Sequence, residues 1–307
     1  MVSLDQLSAD RGTDIGGRRH SREAWPVRKN GPMTTLAPRI PLTGGTAIPA
    51  IGVGTWPLND DEVRAMCLTA FEIGYRLVDT AENYRNEAGV GRAVRESGLA
   101  REDVFVTTKF NKTWHGDAVA GVEGNLGRLG LEYIDLVLIH WPNPDQDLYV
   151  RAWEGLIEAR ERGLTKAIGT SNFKPEHLQR LIDATGVAPE VNQIQCNPFT
   201  PRTQERAFHA EHGILTESWA PLAAGNGLAE HPTVSAVAAA HDVTAAQVVL
   251  AWHIQQGLLP IPKSSNRERL AENFAALDVR LTDDEVRALT ALENPDYRLA
   301  DSDRFGH

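Results

Sequence analysis

The chain has 307 residues, with 31 Lys+Arg against 41 Asp+Glu, two cysteines, 42% hydrophobic and 23% charged residues. That length permits one large α/β domain or two smaller ones, and the composition excludes a wholly disordered chain. A formal net charge of −10 argues against nucleic acid or an acidic membrane face as main partner, since both need a basic footprint, and no apolar run is long enough to span a membrane.

Residues 1–35 are polar, Gly- and Arg-rich and without apolar period, so a disordered extension is expected there. Arg18-Arg19 invites an export reading, but His20, Ser21, Arg22 and Glu23 stand where the apolar part of such a signal belongs. Met33 is an alternative start. A single domain is expected over 36–307. It opens with a short hairpin around Gly44-Gly45, a pair that tolerates positive φ.

A strand is predicted over 50–54, then a helix on which Val63, Met66, Cys67, Ala70 and Phe71 recur at helical spacing and which Gly74 ends. The next strand is 76–79 and the next helix 86–96. Strand 103–108 precedes helix 115–129. Strand 133–139 precedes a helix marked by Val150, Trp153, Leu156 and Ile157 and closed by Gly163. Strand 166–170 leads to the helix carrying Leu178, Leu181 and Ile182. Strand 190–195 leads to helix 204–212. Strand 213–219 leads to helices over 234–240 and 245–256. The last strand, 258–261, is followed by helices over 267–276 and 283–292. Such alternation implies parallel strands joined by right-handed crossovers, and eight units in ~250 residues match a closed (β/α)8 barrel. The expected fold is therefore an α/β TIM barrel with an N-terminal hairpin and two extra helices. An open doubly wound sheet is the alternative.

The phosphate-binding fingerprint of an open sheet fails. Gly52-Val53-Gly54-Thr55-Trp56-Pro57 begins like G-x-G-x-x-G but has Pro57 in place of the third glycine. His209 and His212 share a helix face without a third ligand nearby, so they read as solvated and no metal site is expected. Catalytic groups of such barrels come from the C-terminal strand ends. Those ends carry Thr55-Trp56, Asp79 with Tyr84 five residues on, Lys109, His140-Trp141, Ser171-Asn172, Gln193, Trp219 and Lys263-Ser264. Singly, Asp79 reads as a helix cap, Lys109 as solvated and His140 as core. On three adjacent strands they would meet over the barrel mouth.

The chain resembles an aldo-keto reductase over residues 39–295. The resemblance rests on Gly52-Val-Gly-Thr-Trp56, Leu77-Val-Asp-Thr-Ala-Glu-Asn-Tyr-Arg-Asn-Glu87, Thr108-Lys109, Leu138-Ile-His-Trp-Pro142, Ile168-Gly-Thr-Ser-Asn-Phe173, Asn192-Gln193 and Ile261-Pro-Lys-Ser264. Trp141-Pro, Glu217-Ser-Trp219 and Arg267-Glu-Arg-Leu270 are most similar to the bacterial diketo-gluconate reductases. The resemblance implies an enzyme that reduces aldehydes and ketones with NADPH.

In that role Tyr84 is the general acid, and Lys109, held by Asp79, lowers its pKa from about 10 towards neutrality. His140 orients the carbonyl oxygen. Ser171, Asn172 and Gln193 hold the nicotinamide carboxamide, and Trp219 stacks on the ring. Lys263, Ser264, Asn266 and Arg269 surround the adenosine 2'-phosphate, with Glu272 and Asn273 at the adenine. Trp56, Trp114 and Trp141 wall the substrate.

The expected partner is a small polar carbonyl compound, with Arg298 or Arg304 of the tail offered to a substrate carboxylate. The expected setting is the cytoplasm, as a monomer. Asn197 stands where the family commonly has His, and Ala220 where it commonly has Ser. A Schiff-base aldolase using Lys109 and a cofactor-sensing protein are the competing classes.

Overall fold

Gly45, at φ 93°, turns the chain between strands β1 (Arg39–Pro41) and β2 (Ala47–Pro49), which pair antiparallel with Ile40 opposite Ile48. In this computed structural model, which describes residues 35–306, the expected hairpin is thus present. The 1–35 extension, Arg18-Arg19 and Met33 lie outside the described residues, except Thr35 at its edge.

Strand and helix then alternate; seven of the ten described helices start with a side-chain cap or a proline, and most end at or next to a residue of positive φ. The order is β3 (Val53–Gly54), α1 (Asp60–Ile73), β4 (Leu77–Asp79), α2 (Glu87–Glu96), β5 (Phe105–Phe110), α3 (Ala118–Leu129), β6 (Ile134–Ile139) and α4 (Tyr149–Glu161). It continues with β7 (Thr165–Ser171), α5 (Pro175–Thr185), β8 (Val191–Gln195), α6 (Thr203–Glu211), β9 (Leu215–Trp219), α7 (Pro232–His241), α8 (Ala245–Gln255), β10 (Leu259–Pro260), α9 (Arg267–Ala275) and α10 (Asp283–Thr290). In α1, Asn59 accepts from Glu62 N while Glu62 reaches back to Asn59 N, a capping box that fixes the first turn.

Strands β3 to β10 pair in parallel in sequence order. The ends are joined by Gly52 N donating to Pro260 O at 3.1 Å and Gly54 N to Pro262 O at 3.2 Å, which closes the barrel. Both glycines are needed at this seam. A Cβ at Gly52 would lie 2.6 Å from Leu77, and one at Gly54 3.2 Å from Ile261 O. α7 and α10 are the two extra helices, and they contact one another.

The period of two along each strand sorts the side chains. Val78, Val106, Val137, Ile139 and Ile168 face outward and pack with the helices. Leu77, Phe105, Leu136, Leu138, Val191, Leu215 and Leu259 face inward and fill the lower barrel, where Leu42 and Ile48 of the hairpin meet them. The same parity, continued one or two steps further, turns Asp79, Lys109, His140, Ser171, Gln193, Trp219 and Lys263 into the mouth. Strand β5 runs later than expected, because Arg101–Asp103 form a 3-10 turn before it. Among the described residues no single helix is long and apolar enough to cross a membrane.

Candidate active site

Lys109 is 0% exposed. Its Nζ donates to Asp79 Oδ1 and Oδ2 and to Thr80 O, each at 2.8 Å, so all three protons have acceptors. Gln193, on the opposite side of the barrel, donates from Nε2 to Asp79 Oδ2 at 2.8 Å. Tyr84 closes the 3-10 turn Glu82–Tyr84 directly after β4. Lys109 Nζ lies 5.1 Å from its ring centre, and the His140 ring stands nearly perpendicular to it at 5.8 Å. The four residues drawn together from the sequence are therefore one cluster.

The electrostatics depart from the expected pattern at Tyr84. Burial lifts the phenol above its ordinary value, and the opposing pull of Lys109 is smaller. The residue is a phenol at neutral pH, a loaded proton donor. Burial likewise pulls Lys109 down, but Asp79, Tyr84 and Glu217 outweigh it and hold the ammonium above the usual lysine range.

Glu217 was not among the expected site residues. It lies on β9 in register with Gln193 and is fully buried. Neither carboxyl oxygen has a hydrogen-bond partner among the described residues. Burial first, then the charge of Asp79, push its pKa up to about 8, against the weaker pull of the nearby Lys109 ammonium. Its inward parity, two residues before Trp219, was the available signal.

Beside the cluster, Trp219 Nε1 donates to Asn172 Oδ1 at 2.9 Å. Asn172, in the left-handed region at φ 63°, donates to His140 O at 3.1 Å and Ser171 Oγ at 3.0 Å. Ser171 in turn donates to Gln193 O at 3.1 Å. The indole is thereby pinned at the cavity wall, with polar groups at its edge. At the rim, Ser264 Oγ accepts from Asn266 N at 3.2 Å and from Arg269 Nε at 3.4 Å, while Asn266 caps α9 by accepting from Arg269 N. Lys263 and Arg269 are exposed and have no acidic partner among the described residues, whereas Arg267 between them pairs with Glu72 at 2.6 Å. Two unpaired cations around a hydroxyl at a helix start, next to a pinned aromatic face, fit a phosphorylated dinucleotide. Glu272 is engaged by Thr244 Oγ1 at 2.7 Å, and Asn273 is buried.

The mouth opens into a cavity of about 950 Å³. Trp56, 60% exposed, and buried Trp141 both line it. Trp114 does not. Its indole N–H donates to Glu82 Oε1 at 2.9 Å and its side chain packs at Gly121, so the short turn after β5 holds it off the cavity. Arg298 and Arg304 are not in the lining either. Arg304 lies 3.7 Å from Asp301, because the tail is tied down by Lys174 to Asp301 and Asp303. Phe305, missed in the sequence, is the tail residue that lines the cavity, edge-on to Trp141 at 4.8 Å.

Asn197 donates to Ala220 O at 3.2 Å and to the Tyr297 hydroxyl at 3.3 Å, which ties the segment after β9 to the tail. Ala220 itself has φ 47°. His209 is not solvated. It is 1% exposed, between Asn192 Nδ2 at 2.9 Å and Thr216 Oγ1 at 2.8 Å, and burial lowers its pKa to about 4.

Residues 50–294 match the Aldo/keto reductase family. The chain is 46% identical over 272 residues to 2,5-diketo-D-gluconic acid reductase B of Corynebacterium sp., covering 88% of this chain and 98% of that protein. It is 43% identical to methylglyoxal reductase DkgA of Yersinia pestis, covering 88% of this chain and all of that one. A mutant of Gox0644 solved in complex with NADPH superposes with a TM-score of 0.83 at 39% identity, over 87% of this chain and 97% of the other. The barrel, its mouth and these likenesses together place this chain in the aldo/keto reductase family, as an NADP-dependent oxidoreductase that reduces carbonyl groups.

Proposed function

We propose that this enzyme reduces small polar carbonyl compounds, keto-sugar acids or α-dicarbonyls, with Tyr84 as the proton donor. NADPH, when bound, supplies the hydride. Trp219, Ser171, Asn172 and Gln193 would hold its nicotinamide end, and Lys263, Ser264, Asn266 and Arg269 its 2'-phosphate, with Glu272 and Asn273 near the adenine. His140 donates to the carbonyl oxygen and orients it towards Tyr84. The Tyr84 hydroxyl gives its proton to that oxygen, and the phenolate left behind sits beside the Lys109 ammonium. Asp79 keeps that ammonium charged and in place. Trp56 and Trp141 flank the reacting group. All residues of the machinery come from one chain, which supports action as a monomer, and two buried free thiols suit a reducing cytoplasm.

The observation that carries this reading is the saturated Lys109 ammonium beside a protonated, half-buried Tyr84 that lines the cavity. The same saturation speaks against a Schiff-base lysine, which must be neutral. The test is NADPH oxidation over a panel of 2,5-diketo-gluconate, methylglyoxal and an uncharged bulky ketone, for the wild type and Tyr84→Phe. The small polar compounds are expected to be preferred, and Tyr84→Phe to lower turnover by about 10²- to 10⁴-fold while keeping NADPH binding. Preference for the bulky ketone overturns the substrate class, and near-normal turnover of Tyr84→Phe overturns the proton donor.

A further inference from the structure

The tail arginines are out of reach of the cavity, yet one arginine does line it: Arg85, the residue after Tyr84. Its backbone N–H donates to Glu82 O at 3.1 Å and ends the 3-10 turn in the left-handed region, at φ 56° and ψ 36°. A non-glycine residue rarely adopts that conformation, and such residues gather where a side chain has a task. The Arg85 guanidinium is exposed and makes no hydrogen bond or ion pair with the other described residues. Its neighbours in the fold behave differently. Arg92 pairs with Asp61, Arg95 donates to Leu129 O and Gly130 O, and Arg128 pairs with Glu87.

On the other side of Tyr84, Asn83 also lines the cavity. Its orientation is fixed by a chain of bonds. Thr113 N donates to Asn111 Oδ1 at 2.9 Å, so Asn111 Nδ2 is the group that donates to Asn83 Oδ1, at 3.0 Å. The Nδ2 of Asn83 is left as a donor without an acceptor among the described residues. Tyr84 is therefore flanked in sequence by a guanidinium and an amide donor, both in the cavity wall. They follow β4, four strands round from β8 and half the barrel away, so they lie apart from the sector that Gln193 and Trp219 occupy. The nearest acids in sequence are engaged elsewhere: Glu87 by Thr108 Oγ1, Asn125 Nδ2 and Arg128, and Glu82 by Asn111 N and the Trp114 indole.

We propose that Arg85 and Asn83 form a carboxylate subsite that selects carbonyl substrates bearing a carboxylate, with Arg85 as the specificity-determining residue. This deepens the reading of the chain as a reductase of small polar carbonyls, and rests on it. A planar guanidinium donates to both oxygens of a carboxylate, and the amide adds a third donor. Because the site is open to solvent, salt should weaken it.

The test compares 4-carboxybenzaldehyde with 4-formylbenzamide, two aldehydes of equal size that differ in charge. The variants are Arg85→Gly, which suits the left-handed backbone, and Arg85→Lys, which keeps charge without the fork. Wild-type kcat/KM is expected to favour the acid, a preference that shrinks with added salt. Arg85→Gly should lower the acid-to-amide ratio by roughly tenfold, chiefly through KM, and Arg85→Lys should restore part of it. A wild type without preference, or a ratio that Arg85→Gly does not move, overturns the subsite. Failure to oxidise NADPH with either aldehyde would instead strike the reductase reading itself.

Discussion

Lys109, at the floor of the barrel mouth, is fully buried and donates its three N–H groups to Asp79 and Thr80, while Lys263 and Arg269 at the rim stand exposed with no acid beside them among the described residues. A buried ammonium is tolerated only with its counter-charge built in, because desolvation otherwise neutralises it. An exposed cation is hydrated and needs no partner, so it can be kept for one that arrives. The floor thus carries charge for reacting, and the rim carries charge for binding.

The sharpest way to break this contrast is to remove the floor cation. Lys109→Met leaves the Asp79 carboxylate and Glu217 buried without it, and loss of one partner of a buried pair costs about 3–5 kcal/mol. Each kcal/mol lowers Tm by roughly 2–4 °C in a domain of this size. Carbonyl reduction should fall with it, by about 10²- to 10⁴-fold. Thermal unfolding and NADPH oxidation on the same preparation check both, and an unchanged Tm would mean that the floor is not held by this pair.

The rim should answer in the opposite manner. Lys263→Ala or Arg269→Ala should leave stability within about 0.5 kcal/mol. NADPH affinity should fall by about 1.5–3 kcal/mol, roughly ten- to hundredfold, with little loss for NADH. Titration of both cofactors against each variant decides, since an equal loss for the two would remove the 2'-phosphate from this site.

The last test concerns the second carboxyl of the floor. The folded-state pKa of Glu217 is about 8, above the ordinary 4.5. Between those values the folded protein binds one proton more than the unfolded chain, so stability falls as pH rises through the window and the loss is complete above about 8. Glu217→Gln removes this dependence. The variant should gain on the wild type steadily from pH 5 to 8, read as a growing difference in Tm, and a constant difference would place the carboxyl elsewhere on the pH scale.

The floor was largely legible in the sequence because each of its members sits at a strand end and obeys the period of two. Asp79, Lys109, His140 and Gln193 needed only the strand boundaries to be found. Glu217 obeys the same parity but lies one inward step below the rim of β9, and a list of terminal residues passes over it. Trp114 and Phe305 show the other limit. Whether a loop residue faces the cavity depends on contacts made far along the chain, Glu82 for Trp114 and Lys174 for the tail, which no local pattern encodes. His209 was misread for a related reason, as its partners Asn192 and Thr216 come from two different strands. At Tyr84 the neighbouring charge was foreseen but the depth of burial was not, and burial decides the direction of the shift.

Gln193 crosses the lumen to donate to Asp79 Oδ2, which turns one side chain into a contact between two sites. In the proposed complex its carbonyl end meets the nicotinamide carboxamide, so an amide whose NH2 is drawn to a carboxylate accepts more strongly at its oxygen. Cofactor occupancy and proton occupancy of the Asp79, Lys109 and Tyr84 cluster are then linked, and linkage is reciprocal: whatever factor the proton imposes on NADPH affinity, NADPH imposes on the proton. The barrel would thereby make dinucleotide binding report on the ionisation of a tyrosine through a single amide.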